Sequence, residues 1–369
     1  MRQPYPHSSP SPVIVVGAGC VGLTSAIDIL KNGLPVLLLA RHLPGDDPDA
    51  EFASTAAGAH HLSFASNSDW RQRYLDLRTF EKLWQQSENA EEGERIGVMR
   101  LTQTEYYRGD THLRLLEQLP NFRINAALPE DIDHSVSFES VTIEPARYLP
   151  YLLKTFEKLG GVICRTSRLE SLAEARGYAE RPMCVVNCTG LGSSKLVDVQ
   201  DTTVHPVRGQ VVVLDCPWVK TGWTRQIGSL AGGEGGERTY VIPRASGEVV
   251  VGGTREVDDW MKEPRAETTA DILRRALEIC PSLARPPNST TPVPLETLVK
   301  SVVVGFRPTR DEGIRLEAET LSTRNGELKV VHNYGHGGYG WQSAWGCSEE
   351  VARIVGDISR SSGSRVSKL

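Results

Sequence analysis

Apolar residues fall along this chain in three rhythms, and each predicts an element. Short unbroken apolar runs, the signature of strands buried on both faces, occupy Val13–Val16 and Pro35–Ala40 and recur at Val185–Val186. The first run feeds Gly17-Ala18-Gly19-Cys20-Val21-Gly22, after which Leu23 to Leu30 reads as a helix. Helical spacing of apolar positions returns over Asp69–Gln86, Pro145–Lys158, Thr268–Cys280 and Gln342–Ile358. Strict alternation marks Gln210–Asp215, Thr239–Pro243 and Glu248–Gly253 as antiparallel strands. Gly160-Gly161 breaks into a further parallel strand at Val162, and Lys329–Val331 brings the chain back to the first lobe. Glu88–Glu94 reads as an acidic surface loop, and the glycine-rich segment 229–236 as a mobile loop that could gate a site. The fold class predicted is α/β: a Rossmann-like domain interleaved with a second α+β domain built on an antiparallel sheet. The expected division assigns 13–63, 142–202 and 296–361 to the first domain and 64–141 and 203–295 to the second, with 362–369 as a tail.

The first turn carries chemistry. In a strand–turn–helix G-x-G-x-x-G, Gly17 permits the tight turn, Gly19 lets backbone approach a pyrophosphate, and Gly22 lets helix and strand pack closely. The helix start then offers unpaired N–H groups and a positive dipole end to phosphates. The second apolar strand ends Ala40-Arg41-His42, without the acidic residue that normally holds a ribose hydroxyl, which argues against the plain NAD pattern and leaves Arg41 for phosphate or ribose oxygens.

Composition narrows the partners. With 369 residues the chain can bury two cores. A net charge of −5 and no basic stripe argue against nucleic acid or an anionic membrane as partner. No apolar stretch approaches the ~18 residues of a membrane span, and the polar, proline-rich start lacks a secretory h-region. The 7 cysteines show neither C-x-x-C nor zinc spacing, so reduced thiols and no metal are expected. Ser367-Lys368-Leu369 matches a peroxisomal address, which implies the import receptor as a partner and a peroxisomal location. Homo-oligomerisation is left open.

Six segments carry a resemblance: Val186-Asn187-Cys188-Thr189-Gly190, Arg208-Gly209-Gln210, Tyr240-Val241-Ile242-Pro243, Gly252-Gly253-Thr254, Gly305-Phe306-Arg307-Pro308-Thr309-Arg310, and His332 through Gly340. In these the chain resembles the D-amino-acid oxidase family of flavoproteins. The resemblance implies non-covalent FAD, a D-amino acid as substrate, oxidation to an imino acid that hydrolyses, and reoxidation by O₂ to hydrogen peroxide. It implies Arg307 as the bidentate anchor of the α-carboxylate, Tyr240 as a hydroxyl donor to it, and the Gly338 carbonyl as the amine's partner. The bland alternatives are an arginine capping the turn before Pro308 and a core tyrosine. No general base is needed if the free amine's lone pair expels hydride from Cα.

Two branches of the family act on neutral and on acidic D-amino acids. Yeast-type enzymes for neutral substrates carry tyrosine after Gly-Gly-Thr, whereas the branch acting on D-aspartate carries arginine, as here in Arg255. A second carboxylate in a dry pocket needs a charge partner, and guanidinium offers a planar fork of donors. The expectation is therefore oxidative deamination of D-aspartate to oxaloacetate, ammonia and peroxide. A broad oxidase of neutral D-amino acids, a glycine or N-methyl amino acid oxidase, and a non-enzymatic flavin-binding scaffold stand as alternatives. Arg255 could instead pair with Glu256 or Asp258. His60 and His61 fall in a segment that the resemblance sets beside the ring and substrate, and two neighbours in sequence more often point one in and one out.

For FAD the resemblance implies Gly17, Gly19, Cys20, Val21 and Gly22 at the pyrophosphate, with Arg41 beside them. Ser54 and Thr55 would be phosphate donors, and Ala57, Gly58 and Ala59 would offer backbone to the ring. Leu169 would hold the adenine by its main chain, with Thr189 and Gly190 near the cofactor. Gly337, Gly338, Tyr339, Gly340, Trp341 and Gln342 open a helix whose amides would face the flavin O2; Arg307 borders both ligands. His336 is expected to shape that loop, not to bind metal.

Overall fold

The computed structural model describes residues 11–109, 111–179, 181–228 and 236–363. Of the expected gating loop, 229–235 lie outside the described residues, as do Ser367, Lys368 and Leu369.

The first layer is a sheet of β1 (Val13–Val16), β2 (Val36–Ala40), β6 (Val162–Arg165), β7 (Cys184–Asn187), β14 (Arg315–Thr323) and β15 (Gly326–Tyr334). Its order is β14-β15-β7-β1-β2-β6, parallel throughout except for the β14–β15 hairpin. Every residue of β1 and β2 is buried, because the sheet is covered on both faces. Val13, Val15 and Val186 turn toward α1 (Cys20–Lys31), α5 (Pro145–Lys158) and α7 (Gly340–Gly363). Ile14, Val16 and Val185 turn the other way, onto Leu172, Ala175 and Tyr178.

The second layer contains β3 (Val98–Arg108), β4 (Arg123–Ile124), β5 (His134–Ile143), β8 (Val204–Asp215), β9 (Gly222–Ile227), β10 (Glu237–Pro243), β11 (Glu248–Gly252), β12 (Glu256–Val257) and β13 (Val299–Arg310). These run β12-β8-β11-β10-β9-β3-β5-β4, with β13 paired to β8. α6 (Ala266–Ile279) covers the outer face, burying Ile272, Leu273 and Ala276 against Val212, Val241 and Val251. The inner face is left toward the glycine turn of β1. α2 (Ala53–Ala56) bridges the layers there.

Three expectations are corrected. Glu88–Glu94 is not a loop: α4 spans Ala90–Ile96. Asn89 Oδ1 caps it by accepting from the Glu92 amide at 3.0 Å, Glu91 and Glu92 favour the dipole's positive end, and Gly97 at φ +86° closes it. The strand β13 belongs to the second sheet, so the return to the first layer expected at 296 begins only after Arg310. Finally α3 (Trp70–Gln86), expected with the second domain, docks on α7. A Cβ on Gly346 would stand 2.2 Å from the Leu75 carbonyl oxygen, and the Gly346 amide donates to Thr79 Oγ1 at 2.9 Å.

α3 also buries Asp76, 1 % exposed and bonded to Ser63 Oγ and Gln72 Nε2 at 2.6 Å each. Burial pushes its carboxyl up to about 8. The folded state therefore keeps a proton that the unfolded chain gives up near pH 4, and Asp76 costs stability increasingly as pH rises to about 8. Asp76→Asn is expected to flatten the fall in thermal midpoint between about pH 5.5 and about pH 8. Equal falls in both proteins would refute that assignment.

Candidate active site

A cavity of about 560 Å³ runs from the β1–α1 turn to the inner face of the second sheet. At the nucleotide end the glycines are fixed by contact. Gly17 adopts φ +110°, and a Cβ there would stand 2.4 Å from the Cys188 carbonyl oxygen; one on Gly22 would stand 2.0 Å from the Gly17 carbonyl oxygen. Gly19, Cys20 and Val21 line the cavity, while Gly22 stands behind them as the packing glycine. Ser54 Oγ accepts from the Cys20 amide at 3.0 Å, so this hydroxyl already faces the helix start.

A second helix opens on the same space. Gly337, Gly338, Tyr339, Gly340, Trp341 and Gln342 all line it as the chain enters α7. The Trp341 side chain is fixed by its Nε1–H donating to the Ser54 carbonyl at 3.1 Å. Arg41 and Leu169 line the far end, with Arg41 Nη2 3.5 Å from Asp49 Oδ2. Thr189 and Gly190 line the wall after β7, the threonine hydroxyl donating to Asn187 Oδ1 at 2.8 Å. Ala57, Gly58 and Ala59 also line the cavity.

Thr55 is the exception among the expected phosphate donors. It is absent from the lining, and its hydroxyl donates to the Phe52 carbonyl at 2.9 Å, which satisfies it within the short helix α2. The remaining residues fit a dinucleotide. Two helix starts converge on a cradle that side chains would fill, and two buried polar atoms on its wall, His336 Nε2 and Gln342 Oε1, lack a hydrogen-bond partner among the described residues.

Toward the second sheet Arg307, Tyr240, Arg255, Gly338 and His60 all line the cavity. Arg307 Nη1 donates to the carbonyls of Thr254 at 3.1 Å and Arg208 at 3.3 Å. Its guanidinium lies so close to β8 that a Cβ on Gly209 would stand 2.5 Å from Nη1. The Arg208-Gly209-Gln210 motif divides its labour accordingly. Gly209 makes room for Arg307, while the fully buried Arg208 donates to the Met261 and Glu263 carbonyls and to Glu256. Gly252 and Gly253 do the same for Tyr240: added Cβ atoms would stand 2.6 and 2.3 Å from its hydroxyl.

Arg255 lines the cavity beside them. Glu256, one of its two alternative partners, commits one oxygen to Arg208 and the other to Arg265 at 2.8 Å.

The histidines split. His60 lines the cavity, its ring centroid 6.3 Å from that of Tyr240. Desolvation first, then Arg238 and His61, lowers its pKa to about 3, so the ring is neutral. His61 is fully buried and faces away: Nε2 lies 2.9 Å from the Asp76 carbonyl oxygen, and the ring packs on Phe80. Its expected place beside the substrate is overturned, because extended backbone through the His60–Thr142 bridge turns consecutive side chains to opposite faces.

Sequence reasoning missed Arg238, Phe64 and Arg244. Arg238 and Phe64 line the cavity, and Arg244 Nη2 donates to the Ala57 carbonyl at 3.0 Å. Alternation on the Tyr240 strand was a sufficient signal for Arg238, two residues earlier on the same face.

Known proteins match this architecture end to end. A family model described as FAD dependent oxidoreductase covers residues 12–354. A D-aspartate oxidase of Cryptococcus neoformans var. grubii is 46 % identical, over 95 % of this chain and 98 % of that protein. A D-amino-acid oxidase of Fusarium vanettenii is 33 % identical over 96 % and 99 %. Among solved structures, glycine oxidase from Geobacillus kaustophilus superposes with a TM-score of 0.67 at 16 % identity, covering 94 % of this chain and 95 % of that one. That likeness concerns the fold.

Proposed function

The chain belongs to the FAD dependent oxidoreductase family of D-amino-acid oxidase type, and from that premise we propose that it oxidatively deaminates acidic D-amino acids, D-aspartate foremost. The observation that carries the acidic specificity is Arg255 lining the same cavity as Arg307 and Tyr240. The relative named D-aspartate oxidase, 46 % identical, supports it.

Each residue then has a task. Arg307 receives the α-carboxylate with its planar fork, and the Tyr240 hydroxyl adds a third donor. The carbonyl of Gly338, which lines the cavity, takes the amine, so the nitrogen lone pair is oriented with no side chain acting as base. Arg255 meets the side-chain carboxylate. Neutral His60 adds no further positive charge beside Tyr240. FAD bound along the β1–α1 turn and the start of α7 would supply the two-electron oxidising chemistry, with O₂ as the final acceptor and hydrogen peroxide as the product. The helix starts of α1 and α7 favour the negative charge of pyrophosphate and ring, held without a covalent bond.

A peroxide assay with D-Asp, D-Glu, D-Ala and D-Phe tests the reading. D-Asp should be turned over fastest at low concentration, and acid precipitation should release the flavin into the supernatant. Preference for a neutral substrate would overturn the specificity, and flavin retained in the pellet would overturn the mode of attachment. The terminal Ser367-Lys368-Leu369 supports a peroxisomal address read by the import receptor. Deleting these residues should leave activity intact and move the enzyme to the cytosol; import that persists would refute that address.

A further inference from the structure

Three alternate residues of β10, Arg238, Tyr240 and Ile242, form one row along the cavity wall. The residues between them turn outward onto α6, where Thr239 Oγ1 accepts from Arg275 at 2.6 Å and Val241 joins the apolar core. Arg238 thus stands roughly 7 Å along the strand from the tyrosine.

Its guanidinium is held from behind. Nη2 donates to Glu105 Oε2 at 3.0 Å, Nη1 donates to Gln226 Oε1 at 3.3 Å, and the group lies 4.4 Å from the Phe64 ring centroid. Glu105 is 1 % exposed and accepts from Gln103 Nε2 at 2.7 Å; the same nitrogen donates to Thr224 Oγ1 at 2.9 Å. A guanidinium offers five donors, and Glu105 and Gln226 engage two of them. Buried ion pairs contribute little stability beyond what apolar packing would give, so a built pair in a cavity wall points to ligand chemistry. Glu237 at the rim is drawn toward Arg225, 3.6 Å away, which lessens its repulsion of an anion.

We propose that Arg238 provides a second anion subsite beside Arg255, and that it takes the distal carboxylate of longer acidic D-amino acids of the D-glutamate type. The proposal rests on the acidic-substrate reading above. With the α-carboxylate on Arg307 and Tyr240, a side chain one methylene longer than that of D-aspartate reaches further along the β10 row. Glu105 fixes the guanidinium there and keeps it from competing for the α-carboxylate.

The test uses Arg238→Gln holoenzyme, with kcat/KM for D-Glu, D-Asp and D-Ala. In parallel, perturbation of flavin absorbance gives Kd for glutarate, succinate and butyrate. The D-Glu to D-Ala ratio should fall about tenfold or more, chiefly through KM, with a smaller fall for D-Asp. Glutarate should lose its advantage over butyrate to a similar extent. If the unpaired Glu105 prevents folding, the double variant Arg238→Gln, Glu105→Gln gives the same readout without a buried lone charge. Ratios unchanged from wild type overturn the subsite. Wild-type enzyme that binds neither dicarboxylate more tightly than butyrate overturns the acidic-substrate reading itself, so the two failures are distinct.

Discussion

Replacing Arg307 with alanine is expected to lower kcat/KM for D-aspartate by about 3–5 kcal/mol, a loss of hundreds- to thousands-fold. The α-carboxylate would then enter a half-buried wall without its bidentate charge partner. Arg307 reaches its position through contacts that leave little choice: the Thr254 and Arg208 carbonyls accept from Nη1, and Gly209 leaves the space. Tyr240→Phe removes one hydrogen bond to a charged group and should cost only ~1.5–3 kcal/mol. Steady-state kinetics on both variants, with flavin content confirming an intact cradle, separate an anchor from an accessory donor. Small and equal effects would mean that the anchor lies elsewhere.

The second large effect concerns selectivity. Arg255→Ala should reduce kcat/KM for D-Asp by about 2 kcal/mol, near 30-fold, the lower end for losing one member of a desolvated charge pair. D-Ala and D-Met have no second carboxylate and should be unaffected or improved, because a half-buried guanidinium no longer opposes an apolar side chain. The readout is the D-Asp to D-Ala ratio. Parallel losses on both substrates would make Arg255 a structural residue. His61→Ala, by contrast, should lower the thermal midpoint without moving that ratio, since His61 fills the core against Phe80 and the Asp76 carbonyl.

Much of the first layer was legible because its signals are local. An apolar run, three glycines at fixed spacing and a helix are consecutive in sequence, and the clashes at Gly17 and Gly22 show why no other residue serves there. The same holds for the alternation of β8, β10 and β11, and for Arg307 and Tyr240, each marked by short neighbouring motifs. The loop expected at 88–94 failed for a local reason also: an asparagine cap and a closing glycine outweigh a polar composition.

What only the tertiary structure decided is which face each residue presents, and to what. Adjacent histidines carry the same chemistry, yet a bridge to β5 turns His60 into the cavity and His61 into the core. Thr55 looks like a phosphate donor until its hydroxyl is seen to be taken by the Phe52 carbonyl. Arg208 and Arg307, nearly a hundred positions apart, divide into a structural and a cavity guanidinium because β8 and β13 pair in one register. Local sequence fixes backbone propensity and the kind of group available. The direction in which a polar side chain is satisfied depends on partners brought near by long-range pairing, and that pairing leaves no short-range trace.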